Sequence, residues 1–177
     1  AYLGYQLKYK KLGGNMRLAA YPPGKGDITN MIRSYIHRCQ KDGVKIVMNC
    51  EVTPELIKEE KPDSVIIATG SKTLILPIEG IDNPAIIHGS DLLDGKRAAG
   101  KKVLVVGGGM VGCETAAFLG EQEHDVTVIE FRDTVGADVI HEHRVYLMKD
   151  FEDYGIKEIT GAKVCKFYDV ANTDEQK

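Results

Sequence analysis

The segment Gly107-Gly108-Gly109-Met110-Val111-Gly112 constrains this chain more than any other. It satisfies Gly-x-Gly-x-x-Gly, a pattern that is weak alone and specific only in the right setting. The setting is present. Lys101-Lys102-Val103-Leu104-Val105-Val106 reads as a strand, residues 110–120 as a helix, and Val126–Glu130 as the next strand. A strand–turn–helix–strand unit of about 30 residues is what a dinucleotide fingerprint requires. The three glycines of the pattern have distinct physical roles. Gly107 permits the tight turn, Gly109 lets the backbone approach a pyrophosphate, and Gly112 lets the helix pack close to the strand. The first helical N–H groups, around Met110 and Val111, then face the phosphates with the positive end of the helix dipole. Glu130 lies 18 residues beyond Gly112 and closes the second strand. A carboxylate there accepts hydrogen bonds from the adenosine ribose. It also favours NADH over NADPH, because a 2′-phosphate would meet like charge. Arg132, in the following loop, is the residue able to neutralise that phosphate. A glycine-rich turn without a ligand is the competing reading, and context, spacing and acid together argue against it.

Composition excludes several classes. Lys plus Arg number 23 and Asp plus Glu 26, for a net charge of −3. That balance lacks the basic excess of a nucleic-acid-binding chain. The longest apolar runs fall far short of the ~20 residues that span a bilayer. Cys39, Cys50, Cys113 and Cys165 show no C-x-x-C spacing, so neither a zinc knuckle nor a dithiol motif is supported. Without a disulfide framework the expected compartment is a reducing cytoplasm. Glycine, at 19 of 177 residues, exceeds the usual ~7% and points to tight turns. No signal peptide is read at Ala1-Tyr2-Leu3-Gly4-Tyr5.

Before the glycine turn the reading is coarser. Residues 1–26, with Gly13-Gly14 and Pro22-Pro23-Gly24, read as loop. A helix is expected from an Asp27 N-cap to Gly43, with Ile28, Met31, Ile32, Tyr35, Ile36 and Cys39 as its apolar stripe. Val44–Met48 reads as a strand. Thr53-Pro54-Glu55 reads as the cap and first turn of a helix that ends before Pro62. Ser64-Val65-Ile66-Ile67-Ala68 has the pattern of a buried parallel strand. Residues 71–100, with extended stretches at 74–76 and 85–87 and a helical turn at Asp91-Leu92-Leu93, read as a crossover. After the second strand come a helix from about Asp138 to Asp153, strands at 156–160 and 163–168, and a frayed end from Asn172. The expected fold class is α/β, with a partial first lobe and crossover over residues 1–97 and a Rossmann-like nucleotide-binding lobe over 98–177.

Three stretches carry a family resemblance. Val105-Val106-Gly107-Gly108-Gly109-Met110-Val111-Gly112-Cys113-Glu114, Ile66-Ile67-Ala68-Thr69-Gly70, and Pro77-Ile78-Glu79-Gly80-Ile81-Asp82 resemble the two-dinucleotide-domain flavoproteins of glutathione-reductase type. More narrowly, Gly13–Ala20 with Pro22-Pro23-Gly24-Lys25 is similar to the C-terminal half of the old-yellow-enzyme-like NADH:flavin oxidoreductases, the group of 2-enoate reductase, 2,4-dienoyl-CoA reductase and the bile-acid oxidoreductases. The resemblance covers roughly residues 12–170. It implies an FAD-type first lobe and an NAD-type second lobe. It also leads to the expectation that the chain is a fragment of a larger flavoprotein, whose FAD fingerprint, FMN-bearing barrel and iron–sulfur cluster lie elsewhere. His124 stands where the family usually ends a helix with glycine.

The resemblance places Ala68-Thr69-Gly70 near the FAD; by itself the sequence allows equally that Gly70 only ends a strand. It places Glu114 on the nicotinamide side; a first-turn acid answering the helix dipole is the alternative. Cys113 is expected to be a packing residue, not a nucleophile. His141 and His143, two apart on a helix, do not share a face and are not expected to hold a metal. The implied function is dinucleotide binding within a flavin-dependent NADH reductase that passes hydride from NADH to FAD, with no catalytic residue named in this chain. A disulfide-reductase or NADH-oxidase relative, and a nucleotide-binding module without catalysis, are the alternatives. The chain alone is expected not to reduce an enoate or enoyl-CoA with NADH.

Overall fold

The computed structural model describes residues 2–4, as backbone, and 11–168. It separates into two compact units that divide between Lys72 and Thr73. The crossover residues 73–97, which the sequence grouped with the first lobe, therefore sit in the second unit. The frayed end expected from Asn172 lies outside the described residues.

In the first unit, β1 (Tyr2–Gly4) pairs in parallel with β2 (Lys45–Val47), in the register Tyr2 opposite Lys45. Residues 1–26 are thus not all loop. A three-residue strand is too short to show a period in the sequence, and its pairing is non-local. Gly14–Ala20 form a 3-10 helix, which leads to α1 (Asp27–Lys41). The N-cap of α1 is Gly26, with Asp27 inside the first turn, so the expected cap is one residue late. Ile32 is buried on the apolar stripe, while Tyr35 stands out at 54% exposure. In α2 (Pro54–Glu60), Thr53 Oγ1 accepts from the Leu56 N–H at 3.3 Å and Pro54 opens the first turn, as the sequence expected.

The clearest correction concerns residues 64–68. They are not a buried strand: Ile66 is 88% and Ile67 84% exposed, in a segment outside any helix or strand and without a pairing partner among the described residues. A strand exists only as a hydrogen-bonded neighbour of another, so an apolar β-branched run states a tendency that pairing must realise. Residues 74–76 and 85–87 likewise form no strand.

The second unit holds the three-stranded parallel sheet β3 (Lys102–Val106), β4 (Asp125–Ile129) and β5 (Lys157–Ile159), in that spatial order. Val103 lies opposite Val126, and Val128 opposite Glu158. Helix α4 (Met110–Glu121) connects β3 to β4, and α5 (His141–Asp153) connects β4 to β5. Parallel neighbours need such crossovers, which is why helix and strand alternate here. The core lies between α4, α5 and one face of the sheet: Cys113, Ala116, Ala117, Leu119, Val126, Val128, Val135, Val139, Leu147, Phe151 and Ile156. Small residues bring α4 close, and a Cβ on Gly120 would stand 2.8 Å from the Tyr154 Cβ. Burying Leu119 and Val128 contributes roughly 1.5–3 kcal/mol each.

Further corrections follow from this packing. Helix α5 starts at His141, three residues after the expected Asp138, because residues 131–140 fold back over the glycine turn. The expected strand at 163–168 shrinks to one bridge, Glu79 with Lys166. The left-handed residue beyond α4 is Glu123, at φ +62°, and not His124, whose Nδ1 instead pairs with the Gly100 carbonyl at 2.8 Å. The short helix α3 (Gly89–Leu93) packs on α4, and a Cβ on Gly89 would meet Thr115 Oγ1 at 3.3 Å.

Candidate nucleotide-binding site

Gly107 leaves β3 at φ +101°, a conformation in which glycine alone is unstrained. Its N–H still donates to the Ile129 carbonyl at 2.8 Å, so the turn starts from the end of the sheet. Gly109 is the N-cap of α4, and its carbonyl accepts from the Cys113 N–H at 2.9 Å. A Cβ on Gly112 would fall on the Gly107 carbonyl oxygen. Gly107 and Gly112 thus hold the positions their spacing assigned. Gly108, an unspecified position of the pattern, is equally forced: a Cβ there would meet Val135 at 2.8 Å and the Glu130 Cβ at 2.9 Å. Met110 and Val111 form the first helical turn, and Val111 is 63% exposed.

Glu130 is half-buried at the end of β4. One carboxylate oxygen accepts from the Gly108 N–H at 2.6 Å and the other from the Arg132 N–H at 2.8 Å. The acid is therefore fixed against the glycine turn by two backbone donors. Each oxygen keeps a second lone-pair direction for a hydroxyl. The backbone around it is anchored too, with the Glu130 N–H on the Ile159 carbonyl at 2.9 Å and the Gly161 N–H on the Arg132 carbonyl at 2.9 Å. The structure brings Gly107–Gly112, Glu130 and Arg132 together at the carboxyl ends of parallel strands, where ligands of open α/β sheets bind.

Two groups that spacing did not reveal complete the site. Asp138 reaches the head of α4, where its Oδ1 accepts from the Met110 N–H at 2.9 Å. Arg144 of α5 donates to the Val135 carbonyl at 3.1 Å and to Thr134 Oγ1 at 3.0 Å, clamping the segment that carries Asp138. Asp138 was invisible because 28 residues separate it from Met110.

Glu114 is buried in α4 and its Oε1 lies in hydrogen-bond contact with His143 Nε2 of α5 at 3.0 Å. Cys113 is fully buried, and its Sγ donates to the Gly108 carbonyl at 3.2 Å. Burial pushes its thiol up to about 11, which removes thiolate at neutral pH. Ala68, Thr69 and Gly70 lie in the first unit, exposed and outside any helix or strand, with Gly70 in the left-handed region at φ +75°. No phosphate-cradling turn surrounds them among the described residues, so no step is assigned to them.

A model of the family described as pyridine nucleotide-disulphide oxidoreductase matches residues 27–177. The chain belongs to that family. The pyridine nucleotide-disulphide oxidoreductases are flavin-dependent NAD(P)H oxidoreductases, and the α/β fold with its parallel sheet agrees with this membership. Among relatives, the chain is 32% identical to bilirubin reductase of Mediterraneibacter gnavus over 89% of its length and 24% of that protein's. It is 37% identical to cinnamate reductase of Clostridium sporogenes over 70% of its length and 18% of that protein's. Among solved structures, a 2-naphthoyl-CoA reductase superposes with a TM-score of 0.87 at 31% identity, over 95% of this chain and 25% of the other. The water-forming NADH oxidase of Lactobacillus brevis, bound to NADH, gives 0.55 at 26% identity, over 87% of this chain and 39% of the other. The relatives named as reductases fall in the enoate and dienoyl reductase group whose motifs this sequence resembles. The chain spans between about a fifth and a quarter of the length of those relatives. No described helix is long and apolar enough to cross a membrane.

Proposed function

We propose that the second unit binds NADH, with the pyrophosphate on the Gly107–Gly112 turn and the adenosine ribose on Glu130. The observation that carries this reading is the Glu130 carboxylate held on the Gly108 N–H at 2.6 Å. That contact sets an acceptor for ribose hydroxyls beside a turn that admits close backbone approach. Arg132 flanks the same position, and Glu114 lies one helical turn deeper, on the side where the nicotinamide would extend. Within the intact oxidoreductase, bound NADH supplies a hydride to FAD. The residues of this chain bind and orient the nucleotide, and none is assigned as an acid or a base.

The similarity to cinnamate reductase and to 2-naphthoyl-CoA reductase supports an ene-reductase role for the whole protein, acting on unsaturated carboxylates or their CoA thioesters. In that scheme the FMN and iron–sulfur centre lie outside this chain. Anaerobic, NADH-dependent reduction of such an alkene by the intact flavoprotein tests the role, and its failure there would overturn it; turnover by the 177-residue chain alone would contradict the placement of the alkene-reducing centres outside this chain. The nucleotide site is tested by calorimetric titration of NADH into the unmutated chain and into Gly109→Val. Gly109 has φ −74°, so valine is conformationally tolerable there, and its side chain would meet the Asp138 carboxylate and the ligand rather than the core. Binding is expected to vanish while the unfolding temperature changes little. Unchanged affinity would place the nucleotide elsewhere.

A further inference from the structure

We infer that Asp138 is a built-in competitor of the nucleotide's diphosphate and that its charge holds down the affinity of the site. The inference rests on the reading of the glycine turn as the nucleotide site. Helix α4 has no side-chain cap of its own, since its N-cap is Gly109. Asp138 supplies an acceptor instead, with Oδ1 2.9 Å from the Met110 nitrogen. Its oxygens also stand 3.2 and 3.4 Å from where a Cβ of Gly109 would be. The space that the missing Gly109 side chain leaves for a phosphate is therefore the space this carboxylate fills.

The competitor cannot withdraw far. Residues on both sides of Asp138 are anchored to the body of the unit. The Gly136 N–H donates to the Gly108 carbonyl at 2.6 Å, Val135 is fully buried against Gly108, and Arg144 grips the Val135 carbonyl. Val139 is buried on the other side. A side-chain rotation can release the Met110 N–H to a phosphate oxygen, but the negative charge then remains beside the diphosphate. The penalty is thus in part persistent repulsion, and not only the exchange of one acceptor for another. Glu130 adds a second carboxylate on the same turn, through the Gly108 N–H. The consequence is a site that binds and releases its nucleotide readily.

The role of charge separates from the role of shape by neutral replacement. Asn is the neutral isostere of Asp, so Asp138→Asn keeps an acceptor for Met110 and removes the charge, while the shorter Asp138→Ser removes the charge together with the contact. With the 177-residue chain and NADH as the probe, calorimetry is expected to show roughly tenfold tighter binding to Asp138→Asn at low salt, and a smaller gain at high salt, where like charges are screened. Asp138→Ser is expected to shift affinity in the same direction. In the unmutated chain, the Asp138 carboxyl carbon resonance is expected to move on saturation with NADH, as the carboxylate gives up Met110. Unchanged or weaker binding by the neutral variants, or a resonance that stays in place while NADH binds, would overturn the inference and leave the nucleotide site intact. Failure of the unmutated chain and all variants to bind NADH would refute the site and the inference together.

Discussion

Glu130 should govern the choice between NADH and NADPH, and the structure allows the effect to be sized. Its carboxylate is pinned by the Gly108 and Arg132 N–H groups at 2.6 and 2.8 Å, so it cannot swing away from a 2′-phosphate. At ~5 Å and an effective dielectric of ~20, each unit of like charge costs about 3 kcal/mol before screening. Salt and partial exposure reduce the net penalty to about 1–2 kcal/mol, or roughly tenfold in affinity. NADH should accordingly bind about ten times more tightly than NADPH. In Glu130→Ala the ribose loses hydrogen bonds to a charged acceptor, worth about 1.5–3 kcal/mol, so NADH affinity should fall tenfold or more. NADPH, whose 2′-oxygen carries the phosphate, has only a 3′-hydroxyl contact to lose and is relieved of the repulsion, so the two nucleotides should approach parity. The Arg132 backbone is held by Gly161, while its guanidinium lies in the loop beyond the strand; Arg132→Ala should widen the preference for NADH. The assay is calorimetric titration of both nucleotides into the three proteins, with thermal unfolding as a control. The alanine also strips two backbone donors of their acceptor, at about 1–3 kcal/mol of stability. Equal binding of NADH and NADPH by the unmutated protein would show that Glu130 does not face the ribose, and the reasoning would fail.

Three further outcomes follow from the packing. Gly112→Ala should destabilise the second unit by about 3 kcal/mol or more, read as a fall in denaturation midpoint, because the new Cβ lands on the Gly107 carbonyl oxygen; a neutral effect would mean that α4 can shift away from the turn. Cys113, with its thiol pushed up to about 11 by burial, should resist iodoacetamide at pH 8 in the folded protein while exposed Cys165 is alkylated, as peptide mass mapping would reveal. Glu123→Gly should raise stability by about 0.5–1 kcal/mol in chemical denaturation, because glutamate bears a steric cost at φ +62° that glycine does not; a loss of stability would show that the Glu123 side chain contributes more than its backbone strain removes.

The strand–turn–helix unit around the glycine turn was legible in the sequence because its information is local. The strand, the turn and the first helical residues follow one another from Lys102 to Glu121, and the period of the apolar residues marks each element. The roles of Gly107 and Gly112 followed from backbone geometry that only glycine tolerates. Glu130 could be named from its place at the end of a strand, since parallel pairing with β3 carries that end to the turn. The helix beginning at Thr53-Pro54 was likewise readable, because a cap is a contact between residues three apart.

The rest depends on contacts between distant residues, which sequence pattern does not record. Ile66 and Ile67 carry the pattern of a buried strand and stand exposed, because burial belongs to the pairing and not to the run itself. The demand for glycine at position 108 comes from Val135 and Glu130, which fold back over the turn. His143 reads only as a residue on the face of a helix until α5 packs on α4 and sets it against Glu114. Asp138 reads as the start of a helix until the segment before α5 bends it onto the Met110 N–H. Spacing determined that a Gly-x-Gly-x-x-Gly turn between strand and helix exists here; the tertiary fold decided which charges surround it, because electrostatic neighbours are fixed by distance in space and not by distance along the chain.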